Sequence, residues 1–142
     1  MKLLMLIGGV SGSGKTGVSE FLVKTLTHNA KRFSADDFFI RYGDYHFQPE
    51  LLPEAHKQCQ MNVEECMSEE TDIIIVDNTF TQSWELKPYL KLAERFEYET
   101  MYLLTVNHHG SKSIHNVPSH SVKSQAEKLS DTLVELSLKP YI

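Results

Sequence analysis

Apolar residues in this chain fall into short solid runs separated by stretches of helical period. Leu3 to Ile7 is a continuous apolar run, the pattern of a parallel strand covered on both faces. Thr16 to Leu26 follows as a helix, with Val18, Phe21, Leu22 and Leu26 on one side. Lys31 to Ser34 reads as a short second strand. Ser34-Ala35-Asp36-Asp37 reads as a strand end passing into a helix start, with acids near the positive pole. Gly43 through Pro49 reads as loop. Glu50 to Glu69 is a long helix whose apolar face runs through Leu52, Ala55, Cys59, Val63 and Cys66, in steps of three and four. Ile73-Ile74-Ile75-Val76 is a β-branched strand ending at Asp77. Trp84 to Phe96 is helical in pattern, with Pro88 in its first turn or kinking it, and Trp84 through Tyr89 serve as helix packing. Thr100 to Val106 is the next strand. Asn107 to Pro118 is polar and irregular, Ser119 to Leu133 is a last helix, and Glu135 to Ile142 reads equally as strand or tail.

Strands and helices in alternation predict an α/β fold with a mostly parallel sheet and helices on both faces. The chain of 142 residues fits one domain, 1–142, with one core. It carries no internal repeat, linker or low-complexity segment. No stretch approaches the ~20 apolar residues of a bilayer-spanning helix. The opening Met1 to Ile7 has the look of a signal peptide but runs straight into a glycine-rich turn, so it reads as a buried strand and the expected compartment is the cytoplasm. Cys59 and Cys66 lie on one helix about 10 Å apart along its axis. That is beyond the ~7 Å limit for a disulfide, so both are expected as reduced core thiols.

The glycine-rich turn carries the chemistry. Gly9-Val10-Ser11-Gly12-Ser13-Gly14-Lys15-Thr16 satisfies the Walker A pattern, placed after an apolar strand and opening a helix. Glycines let the backbone take positive φ so that its N–H groups converge on a phosphate. Lys15 supplies a cation to the β- and γ-phosphates, and Thr16 a hydroxyl to Mg²⁺. The helix behind adds unpaired N–H groups and the positive end of its dipole. The expected ligand is ATP, or GTP, with Mg²⁺. The fold prediction thus sharpens to a three-layer P-loop domain with a short lid over 107–124. Asp77, directly after an apolar strand, stands where a Walker B acid would face the metal. It could equally cap the next helix, a role for which Asn78 and Thr79 compete.

Charge narrows the partners. Net charge is −5 and there are three arginines, Arg32, Arg41 and Arg95. A broad duplex-binding surface is not expected, since such surfaces neutralise many phosphates with Lys and Arg. From Thr100 through Ala126 there is no acid, while Lys112, Lys123 and four histidines occur there. A locally basic segment on an acidic body suits a small anionic ligand or a strand end.

Several further pieces occur in a familiar order. They are Gly9 to Thr16, Ser34-Ala35-Asp36-Asp37-Phe38-Phe39, Ala55-His56-Lys57-Gln58-Cys59, and Ile74-Ile75-Val76-Asp77-Asn78-Thr79. Trp84-Glu85-Leu86-Lys87-Pro88-Tyr89 and His115-Asn116-Val117-Pro118 complete the set. In these the chain resembles the kinase domain of polynucleotide 5′-hydroxyl kinases, and resembles more closely the small AAA-type P-loop ATPases of the NEDD-binding-protein-2 kind. The resemblance implies that Asp36 accepts the proton of an attacking hydroxyl, with Asp37 as cap or support, and that Asp77 lies in the same active site. A carboxylate at a strand end opposite the P-loop can orient a nucleophile in line with the γ-phosphate; helix capping is the other reading of Asp36. The chain also departs from the resemblance. Family lids carry arginines where this chain has Gly110-Ser111-Lys112-Ser113-Ile114, with Lys112 the only cation. The polynucleotide kinases place an arginine where this chain has Phe39, and Arg41 follows two positions later. Lysine lacks the planar fork of arginine, and losing such an arginine costs ~10³–10⁵ in rate in related phosphoryl transfer.

The remaining signals are open. His108, His109, His115 and His120 read as zinc ligands, as lid contacts to phosphate, or as a solvated loop, and lack the thiolates of a recognisable zinc pattern. His56 reads as a packing residue or as lining for an acceptor site. Phe38, Phe39, Tyr42, Tyr45 and Phe47 suit nucleobase stacking or a loop packed on its own core. The function expected is ATP-dependent transfer of a γ-phosphoryl group to a hydroxyl, foremost a polynucleotide 5′-OH, with Lys15, Asp36 and Lys112 catalytic and Thr16 and Asp77 at the metal; Lys123 is an alternative to Lys112. The competing expectations are a small-metabolite or nucleoside kinase, and a catalytically weak nucleotide-binding regulatory protein or ATPase. No membrane partner is expected.

Overall fold

The computed structural model describes residues 1–26, 29–105 and 119–135. Four strands form a parallel sheet: β1 (Leu3–Gly8), β2 (Ala30–Phe33), β5 (Ile73–Asp77) and β6 (Glu99–Leu104), in the order β2-β5-β1-β6. Strand β1 is central. Its Leu3 pairs with Ile73 of β5 and Glu99 of β6, and its Ile7 with Asp77 and Leu103. The turn that leaves β1 therefore emerges between the ends of both neighbours.

The pleat sorts β1 onto two faces. Leu4 and Leu6 join Ile74 and Val76 in one core, capped by α2 (Leu52–Ser68) and α3 (Ser83–Phe96). Met5 and Ile7 join Ile73 and Ile75 in the other, covered by Leu22, Val23 and Leu26 of α1 (Lys15–Thr25). The result is the three-layer α/β architecture expected of the pattern. A last helix, α4 (Ser119–Glu135), buries Leu129 and donates from Thr132 Oγ1 to the Thr81 carbonyl. Among the described residues no helix is long and apolar enough to cross a membrane.

Local chemistry sets the helix ends. Helix α3 opens with a capping box between Gln82 and Glu85 and closes at Glu97, whose φ of 60° lets Tyr98 N–H reach the Ala93 carbonyl. Helix α2 closes in the same way at Glu70, φ 61°, with Thr71 N–H on the Cys66 carbonyl.

Four readings of the pattern change. The inward side of α1 is Ser19, Leu22, Val23 and Leu26, while Val18 and Phe21 face solvent; a buried serine takes the place an apolar stripe would fill. Gly43 to Pro49 is not plain loop, because β3 (Ile40–Arg41) and β4 (Asp44–Tyr45) pair as a hairpin turning at Tyr42 and Gly43. Pro88 lies past the first turn of α3, so the first of its two expected places is not the one it takes, and the helix continues through it to Phe96. Leu86 and Tyr89 are buried as helix packing requires, but Trp84 stands 56% exposed. Residues 106–118 and 136–142, with much of the expected lid and the tail, lie outside the described residues.

Cys59 and Cys66 are both free and buried, and burial pushes the Cys59 thiol up to about 11. A thiol that stays protonated and covered is a poor nucleophile. Native protein should therefore show no fast reaction with a disulfide reagent at mildly alkaline pH, and release two equivalents once unfolded. A fast-reacting thiol in the native state would contradict this packing.

Candidate active site

The turn from β1 into α1 uses backbone conformations that side chains rarely adopt. Gly9 has φ 144° and Gly14 φ 94°, both natural for glycine alone. A Cβ at Gly9 would also collide with the Thr105 side chain and stand 2.7 Å from its carbonyl oxygen. The loop is held from both flanking strands. Gly9 N–H donates to the Thr79 carbonyl at 2.9 Å, and Thr105 N–H to the Gly8 carbonyl at 2.9 Å. Thr105 Oγ1 also shares a 2.5 Å hydrogen bond with Ser13 Oγ.

Lys15 is the first residue of α1, and its Nζ donates to the carbonyls of Gly9 and Val10 at 2.9 and 3.0 Å. Burial lowers its pKa, while the charges of Asp77 and Asp36 act against that shift. The ammonium thus lies in the field of two carboxylates from separate elements. Ser11 N–H turns outward and donates to Gln125 Oε1 of α4 at 2.9 Å. The loop therefore presents a backbone donor to an acceptor from outside it, as a phosphate-binding turn must. Thr16, half-buried at the second position of α1, accepts from Ser19 Oγ at its carbonyl.

Asp77 ends β5 and is 3% exposed. Arg32 of β2 grips it with both prongs, Nε to Oδ2 at 2.6 Å and Nη2 to Oδ1 at 3.1 Å, and Ser19 Oγ donates to Oδ2. Burial works against the Arg32 charge, but the Asp77 hydrogen bond and the charges of Asp77, Asp37 and Glu20 outweigh it and raise its pKa. An ionised carboxylate offers about four acceptor positions. Three are taken here, leaving Oδ1 room for one further donor. A magnesium ion would fit that donor set through water, and direct chelation by Asp77 would not. Among the described residues no group of three or more His, Cys, Asp or Glu could hold a metal on its own.

Asp36 sits in a 3-10 turn over Ala35–Phe39. Ser34 caps this turn and Asp37 closes the capping box, with its Oδ2 accepting from Ser34 N–H at 3.1 Å. The capping work thus falls to Ser34 and Asp37, whose carboxyl is pushed up by burial against the pull of Arg32. Asp36 Oδ1 instead accepts from Tyr45 OH at 3.3 Å. Burial, then the Asp36 charge, push the Tyr45 hydroxyl well above its usual range, so it remains a donor. Asn78 Oδ1 accepts from Ala35 N–H at 2.8 Å, and Asn78 N–H reaches the Ile7 carbonyl at 3.3 Å. One short loop thereby couples the Asp36 turn to the end of β1.

The structure brings Gly9 to Thr16, Asp36 and Asp77 to one edge of the sheet. Lys112, His108, His109 and His115 lie outside the described residues, and Lys123 and His120 are exposed on α4. The aromatic cluster divides: Phe39 is 2% exposed core and meets Phe38 and Phe47 edge to face, whereas Tyr42 at the hairpin tip is fully exposed. Arg32, Ser19, Thr105 and Gln125 have no place in the sequence reading of the site. In β2 the exposed Lys31 alternates with the half-buried Arg32, so the period of two places Arg32 on the inner side once the strand is drawn; Gln125 had no such mark.

The profile of the family described as an AAA domain matches residues 4–109. Human NEDD4-binding protein 2 is 36% identical over 103 residues, which is 70% of this chain and 6% of that protein. A chain of the Pnkp1/Rnl/Hen1 RNA repair complex superposes with a TM-score of 0.74 at 18% identity, over 99% of this chain and 48% of that one. The Mycobacterium tuberculosis APS kinase CysC superposes with a TM-score of 0.55 at 17% identity, over 94% of this chain and 97% of that one. This chain thus spans a small fraction of the human relative and about half of the repair-complex chain. At these identities the superpositions show a shared P-loop kinase fold.

Removing one partner of a buried ion pair strands the other. Arg32→Met should destabilise the protein by about 3 kcal/mol, read by urea unfolding. Arg32→Met with Asp77→Asn should cost clearly less than the sum of the two single changes. Strict additivity would mean the pair is not coupled.

Proposed function

The chain belongs to the AAA-domain family, matched over residues 4–109, and on that premise we propose that it is an ATP-dependent phosphotransferase whose acceptor is a polynucleotide 5′-hydroxyl. What supports the reading most is the position of Lys15 at the mouth of α1, in the field of Asp36 from one element and Asp77 from another. A donor cation and a candidate base then face one reaction space.

In this reading the loop amides not tied into the sheet, Lys15 Nζ and the hydroxyls of Ser11 and Ser13 hold the polyphosphate, while Gly9, its N–H bonded to Thr79, shapes the turn. Thr16 and, through water, Asp77 would hold magnesium, which offsets charge on the β- and γ-phosphates when bound. Asp36 accepts the proton of the acceptor hydroxyl as its oxygen bonds to the γ-phosphorus. The bond from that phosphorus to the bridging oxygen breaks, and ADP leaves with the electron pair. Tyr45, donating to Asp36, orients the carboxylate. Lys112, or Lys123 on α4, closes over the γ-phosphate.

One observation favours a smaller acceptor. Arg32 is committed to Asp77 and Arg95 to Glu64, which leaves Arg41 as the arginine free of an ion pair among the described residues. Few cations then remain to track a strand. A screen of nucleosides and small metabolites beside oligonucleotides discriminates the two.

Transfer of labelled γ-phosphate to a 5′-OH oligonucleotide should require magnesium, and chelation should abolish it. Lys15→Met should abolish it as well. Asp36→Ala should lower kcat by about 10²–10⁴ with nucleotide binding retained. No transfer by the wild type, or undiminished transfer by Asp36→Ala, would remove the proposal.

A further inference from the structure

Between the first turns of α2 and α3 lies a cleft of about 340 Å³ lined by Leu52, Pro53, His56, Lys57, Gln60 and Trp84. It is outside the residues assigned above to phosphate, base and metal. Its volume lies in the range of small-molecule sites, ~300–1,000 Å³.

The wall of this cleft is an indole held still while facing solvent. Trp84 is 56% exposed, yet its Nε1–H donates to Gln82 Oε1 at 3.0 Å, and the Gln82 side chain also caps α3. His56 stands against the indole edge to face, with ring centroids 6.2 Å apart. A fixed, exposed aromatic ring offers stacking area at small entropic cost. Lys57 makes no ion pair among the described residues. Gln60 supplies an amide that both donates and accepts. Ring face, cation and amide together suit a planar heterocycle with a hydrogen-bonding edge and a phosphate attached.

The place of the cleft points the same way. Helix α3 follows the 78–82 loop, which binds the P-loop turn through Thr79 and the Asp36 turn through Asn78. Near its start, α2 buries Ala55 and Cys59 in one cluster with Phe39 of that same turn. Helix α1, with the P-loop, covers the opposite face of the sheet. The cleft therefore opens at the carboxyl edge of the strands, on the side away from α1.

We infer that this cleft is a nucleobase-stacking subsite for a single-stranded nucleic acid, taking a base of the strand whose 5′ end is the proposed acceptor. The inference rests on the polynucleotide reading above. Trp84 is the only tryptophan in the chain, so its fluorescence reports on the cleft without any label and without turnover. A thymidine decamer with a free 5′-OH should quench it saturably, with or without ATP. By anisotropy of a labelled decamer, Trp84→Ala should weaken binding roughly 10- to 100-fold, and Trp84→Phe should retain most of it. The variants sit on an exposed position, and circular dichroism confirms their fold.

Absence of quenching by the decamer would overturn the inference. So would equal quenching by oligoglutamate of the same charge, which would mean that charge alone is read. Quenching by thymidine monophosphate as strong as by the decamer, or by ATP alone, would assign the cleft to a small ligand and overturn it too. Quenching without phosphoryl transfer would leave the cleft standing and remove the kinase reading. Transfer that is indifferent to Trp84→Ala, with no quenching, would remove the cleft alone.

Discussion

The rim chemistry depends on how the turn after β1 is held. That turn contains glycines in conformations of little intrinsic stability, and on its own it would be an ensemble. Here β1 runs between β5 and β6, and the segments leaving both neighbours reach over to fasten it, through Thr79 on one side and Thr105 on the other. Glycine at position 9 is needed for its φ and also because Thr105 closes so tightly over it. The loop is thus pre-organised by the register of the sheet, and its donors need not be ordered by the ligand.

A second constraint stabilises the same edge from below. Asp77 is bonded to Arg32 of β2 and Ser19 of α1, so one buried carboxylate ties together β5, β2 and the helix that carries the P-loop. The guanidinium offsets most of the charge that burial would otherwise make costly. It also decides how Asp77 can take part in chemistry, since only one acceptor position remains open. Asp36, by contrast, is relieved of capping by Ser34 and Asp37 and oriented by Tyr45. Two carboxylates at adjacent strand ends are thereby given different tasks by their hydrogen-bond partners.

Much of this was legible in the sequence. The P-loop, the parallel strands, the long helix with Ala55, Cys59, Val63 and Cys66 inside, and the strand-end positions of Asp36 and Asp77 follow from local pattern and chain order; the role expected of Asp36 came with the resemblance. What local pattern could not show is contact between distant elements. The hydrophobic stripe on α1 was misplaced because a polar residue, Ser19, occupies the inward position for the sake of Asp77. The hairpin at Ile40 to Tyr45 is not legible in the sequence because its turn residue, Tyr42, takes a positive φ that tyrosine does not advertise. The pattern reads Trp84 through Tyr89 as helix packing, and the 56% exposure of Trp84 is visible only with the packing of α2 against α3. Gln125 touches Ser11 across most of the chain, and no spacing rule reaches that far.

In the proposed reaction the sheet would separate a donor side from an acceptor side. Helix α1 and the P-loop cover one face, α2, α3 and the aromatic turn the other, and the two meet at the strand ends where Lys15 faces Asp36 and Asp77. The central claim is the grip of the turn's amides and the Lys15 ammonium on a polyphosphate, and calorimetric titration of the purified protein with magnesium and ATP tests it most directly. The account predicts saturable heat with the wild type and affinity reduced about tenfold or more, ~1.4 kcal/mol at least, in Lys15→Met. No heat with ATP or GTP, or an unchanged titration in Lys15→Met, would contradict it.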